Sequence, residues 1–352
     1  MKRTLTCAVL VLCSYACSSD GTSLDVASSA QSELTSKPHP TSDAAVDGAS
    51  PDPIAPSSIS LVCPERTTPY PSPLPAAPVA TRLRDDFLFT EGPLWVASEG
   101  VLLFSDTDFS TSDNPNGPEV KMRRFTPPDT FDVFIESAGS NGLALANDGR
   151  VLAATHDTQS LSYFHPSSGA RENIDLSYRG KAFNSPNDLA VRSDGTVYFT
   201  DPDYEIGPRI SETRVFGVYL VSRRGRVSLF DGRVARPNGI ALSPDERTLY
   251  VAGREADLYR YDLDDDGNYV GEREVFASPG EGDGLTVDCA GNVYVTALTV
   301  KVYDPEGVLL GEIAAGEKAT NVAFGGPNQT TLFITSQNEL YSIELNVPGR
   351  SY

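Results

Sequence analysis

The sequence lacks the motifs of several common enzyme classes. It contains no G-x-S-x-G, H-E-x-x-H or C-x-x-C motif and no phosphate-binding loop. Histidine is also scarce, with three residues in the chain, and His39 lies in a Ser/Pro/Ala-rich segment. His156 and His165 are then left for acid–base chemistry. A serine–histidine triad stays open as an alternative, but no motif supports it.

Basic residues are few relative to acidic ones. The chain of 352 residues has 28 Lys and Arg side chains against 48 Asp and Glu, which gives a formal net charge of −20 and a pI near 4.5. A field of this sign repels the phosphate backbone of nucleic acids and anionic membrane surfaces. We therefore expect no nucleic-acid partner, and solubility is the simplest role of the charge.

No hydrophobic run is long enough to cross a bilayer as a stable helix. The N-terminus has Lys2 and Arg3 before the apolar run LTCAVLVLC, and Ala16 stands directly before Cys17. This pattern predicts a signal peptide over residues 1–16, similar to a bacterial lipoprotein signal, with Cys17 as the lipidated residue. Ordinary secretion with cleavage near Ala16 is the alternative. We expect an exported protein, held at the outer membrane or cell surface by the lipid, or otherwise periplasmic or secreted.

Residues 17–80 show no hydrophobic periodicity and are rich in Ser, Pro and Ala. This composition cannot bury enough apolar surface to offset chain entropy, so it predicts a disordered tether. The end of the segment, LVCPERTTPYPSPLPAAP, is more apolar and is expected to lie along the folded domain.

Residues 81–349 repeat one pattern six times: a polar residue, a short apolar run, a turn with Gly, Asp or Pro, and a second apolar run. The copies start at residues 91, 141, 187, 238, 283 and 321, so successive starts lie 38 to 51 residues apart. A period of about 40 to 50 residues with four short strands per unit is typical of β-propeller blades. A sandwich would not repeat six times, and an α/β fold needs helical periodicity that the sequence hardly shows. The pattern predicts an all-β, six-bladed β-propeller.

The polar residue that opens each copy is a candidate metal ligand. In a propeller the innermost strands line a central channel, so residues just before them meet at one mouth of that channel. Carboxylate and amide oxygens together suit a hard cation, above all Ca²⁺, with Mg²⁺, Mn²⁺ and Zn²⁺ as alternatives. The other interpretation is that these residues only cap turns. The six residues are Glu91, Asn141, Asn187, Asn238, Asp283 and Asn321.

Four segments of the repeat closely resemble gluconolactonases of the regucalcin (senescence marker protein) and luciferin-regenerating-enzyme-like family. They are FTEGPLW, NSPNDLAVRSDGTVYFTDP, RPNGIALSPDERTLYVA and GDGLTVDCAGNVYVT. The resemblance implies a six-bladed propeller with a divalent cation in its channel, held by Glu91, Asn187, Asn238 and Asp283. It also implies that Asp188 orients the Asn187 amide. Ser185 stands where animal regucalcins carry an arginine, so their substrate pocket cannot be assumed.

The same resemblance implies a metal-dependent lactonase acting on an aldonolactone or related cyclic ester, with a small-molecule substrate and a monomeric enzyme. Asp283 is the candidate for activating water, as general base or as nucleophile. Two alternatives stay open: a non-catalytic propeller that binds a sugar or a protein, and a hydrolase of organophosphates or aryl esters. Further channel candidates, on position alone, are Asn141, His156, Lys181 and Tyr204.

The cysteines predict one disulfide. Of the five, Cys7 and Cys13 lie in the predicted signal peptide and Cys17 is the predicted lipid site. Cys63 and Cys289 remain, an even pair in an oxidising compartment, and are expected to pin the end of the tether to the domain. Two separate thiols are the alternative.

Overall fold

The computed structural model describes residues 63–64 and 66–350. The predicted signal peptide, Cys17 and most of the predicted tether lie outside the described residues. Within them the chain forms 24 β-strands and one short 3₁₀ helix, η1 (Phe109–Thr111). In this part of the chain no helix has the length and apolar character needed to cross a membrane.

The strands form six four-stranded antiparallel sheets, and each sheet is one blade of the propeller. The blades are numbered in chain order, and the strands of each blade are given from the innermost to the outermost. Blades 1 to 3 consist of β2 (Thr90–Val96), β3 (Val101–Asp108), β4 (Glu119–Thr126) and β5 (Thr130–Ile135); β6 (Ser140–Leu145), β7 (Val151–Thr155), β8 (Ser160–Phe164) and β9 (Arg171–Ile174); and β10 (Leu189–Val191), β11 (Val197–Asp201), β12 (Gly217–Val221) and β13 (Val227–Asp231). Blades 4 to 6 consist of β14 (Pro237–Leu242), β15 (Thr248–Gly253), β16 (Leu258–Leu263) and β17 (Tyr269–Ala277); β18 (Leu285–Val287), β19 (Val293–Thr296), β20 (Val300–Tyr303) and β21 (Leu309–Ile313); and β22 (Asn321–Gly325), β23 (Thr331–Ser336), β24 (Glu339–Glu344) and β1 (Thr81–Arg84).

The ring of blades is closed by the two ends of the domain. Strand β1 pairs antiparallel with β24, so blade 6 takes its outermost strand from the beginning of the domain and the other three from its end. Each innermost strand contacts that of the next blade, and β22 contacts β2. The predicted six-bladed β-propeller is therefore confirmed.

The hydrophobic core is divided into six clusters, and each cluster fills the space between two neighbouring blades. Between blades 2 and 3, for example, the rings of Phe183, Phe199 and Tyr219 pack edge-on or stacked, with centroids 4.9 to 5.5 Å apart. Between blades 6 and 1, Trp95 stacks on Phe333 at 5.7 Å. Each fully buried side chain of this size stabilises the fold by roughly 1.5 to 3 kcal/mol, so every blade depends on both neighbours.

The chain before β1 lies along the propeller. Cys63 and Cys289 form the predicted disulfide, with Cα atoms 5.3 Å apart and a sequence separation of 226. Asn346 donates from its backbone amide to the carbonyl of Pro73 (3.0 Å) and from its side chain to that of Leu74 (3.0 Å). The Leu74 side chain packs on the cluster between blades 5 and 6. The end of the predicted tether thus contacts the domain, as its composition predicts.

Candidate active site

Backbone hydrogen bonds around the channel define which residues share one level. In three of the blades the residue after the polar position donates its amide to the carbonyl of the next blade's polar residue. These bonds run from Gly142 to Asn187 (2.6 Å), from Gly239 to Asp283 (2.9 Å) and from Gly284 to Thr320 (2.7 Å).

This register corrects the sixth position of the predicted ring. Thr320 occupies the level of the other five polar residues, and Asn321 lies one residue further along the chain. The prediction placed Asn321 in the ring because it stands directly before the apolar run VAF of the sixth copy. The Thr320 hydroxyl is already used, because it donates to the carbonyl of Thr90 (2.7 Å).

Glycine follows the polar residue in four blades because the innermost strands approach closely there. A Cβ atom built on Gly92 would lie 2.1 Å from the carbonyl oxygen of Asn141, and one on Gly239 would lie 2.2 Å from that of Asp283. No side chain fits such a gap without moving the strands apart. The recurring acid–glycine and amide–glycine pairs therefore bring the polar side chains together at the channel mouth.

A cavity of about 270 Å³ opens at this mouth. Its wall contains all four predicted metal ligands, Glu91, Asn187, Asn238 and Asp283. Two of the predicted channel residues also line it, Asn141 and Tyr204. The prediction did not include the other side chains of the wall: Phe89, Phe109, Arg254, Glu205, Glu281 and Lys318.

The buried carboxylates of this cavity repel one another. Burial raises the pKa of Glu91 well above its usual range, and the charges of Asp283, Asp188 and Glu205 raise it further. Burial also raises the pKa of Glu205 to about 7. For Asp283 burial raises the pKa to about 6 although the ammonium of Lys318, 3.5 Å from Oδ2, acts in the opposite direction. The cavity wall therefore carries four carboxyl groups, those of Glu91, Glu205, Glu281 and Asp283, against two cationic side chains, Arg254 and Lys318.

Amide groups orient two of these carboxylates. Asn238 donates from Nδ2 to Oδ1 of Asp283 over 2.6 Å. Asn141 donates from Nδ2 to Oε1 of Glu205 over 2.9 Å. Among the described side chains of the cavity wall, two oxygen atoms are buried without a hydrogen-bond partner, Oδ1 of Asn141 and Oε2 of Glu205. Such atoms in a native site call for a ligand, because an unsatisfied buried acceptor is unfavourable.

The residues present fit a divalent cation that prefers oxygen. Glu91 and Asp283 supply carboxylates, and Asn187 and Asn238 supply amide oxygens at the same level of the channel. Among the described residues no group of three or more His, Cys, Asp and Glu side chains is placed to hold a metal ion. A cation here would therefore depend on the amide oxygens as well as on the carboxylates.

Asp188 lies one level below the cavity. Its carboxylate accepts from the backbone amide of Leu189 (2.9 Å) and more weakly from that of Ile240 (3.4 Å). Asp188 and Asn321 belong to the facing blades 3 and 6, and both line the inner part of the channel. Burial raises the pKa of Asp188 to about 7. Orientation of the Asn187 amide by Asp188 stays a prediction.

Two predicted channel residues lie elsewhere. Neither His156 nor Lys181 is among the described residues that line the cavity. His156 is buried between top loops, where Nε2 donates to the carbonyl of Pro118 (3.0 Å) and burial lowers its pKa to about 4. Lys181 is exposed, and its backbone pairs with Tyr178.

Comparison with known proteins shows the family of this chain. Residues 89–338 match the family model described as the SMP-30/Gluconolactonase/LRE-like region. The chain belongs to this family. It is 31% identical over 300 residues to a gluconolactonase of Zymomonas mobilis, covering 76% of this chain and 81% of that one. It is 28% identical over 261 residues to the pentonolactonase XacC of Haloferax volcanii, covering 70% and 80%.

A solved structure of a similar protein has the same fold as this SMP-30/gluconolactonase/LRE-like propeller. The structure of a gluconolactonase from Xanthomonas campestris superimposes with a TM-score of 0.67 at 28% identity. The superposition covers 80% of this chain and 99% of the other. The residues that match the family model, 89–338, include every residue of the cavity wall.

The residues that the sequence prediction missed lie in loops of this propeller outside the repeat. Glu205 stands in the long loop between β11 and β12, and its one signal is its position beside Tyr204. Lys318 lies two residues before Thr320, and its backbone carbonyl accepts from the hydroxyl of Ser336 (2.9 Å). Their approach to the cavity depends on tertiary contacts that the repeat does not encode.

Proposed function

We propose that this protein is a metal-dependent lactonase that hydrolyses an aldonolactone such as gluconolactone, or a related cyclic ester. The observation that carries the proposal is the cavity in which carboxylate and amide oxygens of five blades converge, two of them without a partner. The relatives support it, because those from Zymomonas mobilis and Haloferax volcanii carry the names gluconolactonase and pentonolactonase.

The proposed cation is divalent, with Ca²⁺ favoured because all candidate donors are oxygen atoms. Glu91, Asn187, Asn238 and Asp283 would hold it. When bound, such an ion polarises a carbonyl group and makes water more acidic. It would also offset the burial and the mutual repulsion that raise the pKa of these carboxyl groups.

Asp283 is the proposed general base. In the proposed reaction its carboxylate takes a proton from a water molecule as the water oxygen attacks the lactone carbonyl carbon. The bond between that carbon and the ring oxygen then breaks, and the protonated Asp283 returns its proton to the ring oxygen, which gives the hydroxy acid and restores the carboxylate. Asn238 holds Asp283 through Oδ1, and Lys318 approaches Oδ2, so the carboxylate has a defined orientation. Direct attack by Asp283 on the carbonyl is the alternative.

The unpartnered oxygens favour a hydroxyl-rich substrate. Oε2 of Glu205 and Oδ1 of Asn141 are acceptors, and the hydroxyl groups of an aldonolactone would donate to them. A simple aryl ester would leave both acceptors unsatisfied. The edge-to-face pair of Phe89 and Phe109, with centroids 5.1 Å apart, is the feature that favours an aryl ester or organophosphate as the second candidate.

A substrate panel tests the proposal. Purified protein is assayed on gluconolactone, a pentonolactone, an aryl ester and an organophosphate, each with EDTA and with added CaCl₂. We expect hydrolysis of a sugar lactone above its spontaneous rate, lost with EDTA and restored by Ca²⁺. Turnover of the aryl ester alone would favour the second candidate. Retained Ca²⁺ binding without any turnover would favour a non-catalytic propeller and overturn the proposal.

A further inference from the structure

We infer that Arg209 is a positioning residue that fixes Glu205 in the cavity, because it bonds to a loop of blade 2 and a loop of blade 3 and reaches a loop of blade 1 through His156. These loops are residues 109–118 of blade 1, residues 156–159 of blade 2 and residues 202–216 of blade 3. The consequence for catalysis rests on the proposed function, whereas the structural consequence does not.

The guanidinium of Arg209 uses all three of its nitrogen atoms on backbone carbonyls. Nε donates to Ile206 (2.7 Å), Nη1 to His156 (2.7 Å) and Nη2 to Glu205 (3.1 Å). The side chain is half-buried, and loss of solvent lowers its pKa. A partly buried guanidinium is unfavourable unless its N–H donors are hydrogen bonded. Because the guanidinium is planar and rigid, its three bonds fix the three carbonyls relative to one another. A lysine ammonium does not have this planar set of donors.

The backbone of Glu205 is held from two further sides. Its amide donates to the hydroxyl of Ser185 (3.2 Å), which itself donates to the carbonyl of Pro202 (2.9 Å). Gly117 packs against the Glu205 carbonyl so closely that a Cβ atom there would lie 2.3 Å from the oxygen. The position of the Glu205 side chain, whose Oε2 has no partner, is therefore set by its backbone contacts and by Asn141.

His156 extends the connection to blade 1. Its backbone amide donates to Gly139 (2.9 Å), its carbonyl accepts from Arg209, and its Nε2 donates to Pro118 (3.0 Å). Pro118 ends the loop that begins with Phe109, which lines the cavity. Arg209 thus links the parts of the wall that blades 1, 2 and 3 contribute. The sequence prediction made His156 a channel residue. In the structure it lies outside the cavity and supports the wall through its bonds to Arg209 and Pro118.

A double-mutant cycle tests the inference. Arg209→Met should lower kcat/KM for the lactone by about 10- to 100-fold, because Glu205 is displaced. In a Glu205→Gln background the same change should lower kcat/KM by less than about threefold, because the residue it positions has already lost its function. Arg260→Met is the matched control, since Arg260 pairs with Glu274 on the outer part of blade 4. If the loss of kcat/KM in the double variant equals the product of the two single losses, the two residues act independently and the inference is overturned.

Hydrogen exchange gives a second readout that needs no turnover. Arg209→Met should speed amide exchange in peptides covering residues 202–210 and 112–118, with the outer strands unchanged. Arg209→Lys should behave like Arg209→Met, and it carries the measurement if Arg209→Met does not fold. Unchanged exchange in these loops would overturn the inference. Faster exchange in a protein that hydrolyses no lactone would support the inference and refute the proposed function.

Discussion

Asn141 donates a hydrogen bond from Nδ2 to Oε1 of Glu205 over 2.9 Å, and this contact joins blade 2 to blade 3 at the cavity. One partner belongs to the sixfold sequence pattern, and the other lies in a loop outside it. Both keep an unpartnered acceptor, Oδ1 of Asn141 and Oε2 of Glu205. The pair therefore forms a rigid side of the cavity that can accept hydrogen bonds from a substrate.

Glu205→Gln is expected to lower kcat/KM for a sugar lactone by about 10- to 100-fold, because a neutral amide replaces a charged acceptor of substrate hydroxyls. The same change should raise the melting temperature of the metal-free protein, since it removes one of the crowded carboxylates. Steady-state kinetics and thermal unfolding measure the two effects. Glu212→Gln, in the same loop, is the control and should change neither. A kcat/KM equal to wild type would contradict this role of Glu205.

His156 predicts a dependence of stability on pH. Its pKa is about 4 in the folded protein against 6.5 ordinarily, so between these values the unfolded chain binds the proton more tightly. Stability from this residue is therefore complete above about pH 6.5 and is lost as the pH falls towards 4. Between pH 7.5 and 4.5 the wild type should lose roughly 2 to 3 kcal/mol more unfolding free energy than His156→Gln, which keeps a donor for Pro118. Urea unfolding at both pH values measures the difference, and equal losses would show that His156 titrates normally.

The disulfide between Cys63 and Cys289 should stabilise the domain. The bond closes a loop with a sequence separation of 226, and its removal in the Cys63→Ser/Cys289→Ser double variant should lower the unfolding free energy by about 2 to 5 kcal/mol. It should also release residues 64–80 to proteases, while the kinetics of the distant cavity stay unchanged. Limited proteolysis and denaturant unfolding check both points, with reduced wild type as the control. A non-reduced digest that yields both cysteines as free thiols would contradict the bond.

Export and lipidation remain proposals that rest on the N-terminal sequence. If Cys17 is acylated, a fatty-acid analogue supplied to cells should label the wild type and not Cys17→Ala. The unlabelled variant should then appear in the soluble exported fraction, since the rest of the predicted signal is intact. Equal labelling of both proteins would exclude lipidation at Cys17.

The sequence predicted the fold and one part of the site because both repeat. Six copies of one pattern require six blades, and the acid–glycine and amide–glycine pairs place Glu91, Asn141, Asn238 and Asp283 at one level. The sixth blade has two adjacent polar residues, Thr320 and Asn321. The backbone hydrogen bond from Gly284 to Thr320 shows that Thr320 lies at the level of the other polar residues.

Glu205 and Lys318 could not be predicted in the same way. Each lies in a loop whose course is set by contacts between distant residues, such as those of Arg209 with His156 and of Ser336 with Lys318. His156 shows the opposite case, since its position in the repeat suggested the channel although burial and its bond to Pro118 place it outside. The sequence repeat therefore predicts the polar side chains at the inner strands, whereas the positions of the loop residues follow only from the structure.

The most direct test of the lactonase account is the initial rate of gluconolactone hydrolysis, above the spontaneous rate, by wild type and Asp283→Asn. Both proteins are stripped with EDTA and then titrated with CaCl₂ to saturation, with Asp266→Asn in the exposed β16–β17 turn as the control. We predict that the wild type loses activity on stripping and regains it with Ca²⁺. Saturated Asp283→Asn should remain about two to four orders of magnitude slower, because it lacks the base. A saturated Asp283→Asn as fast as wild type, or a wild type that EDTA leaves unaffected, would contradict the account.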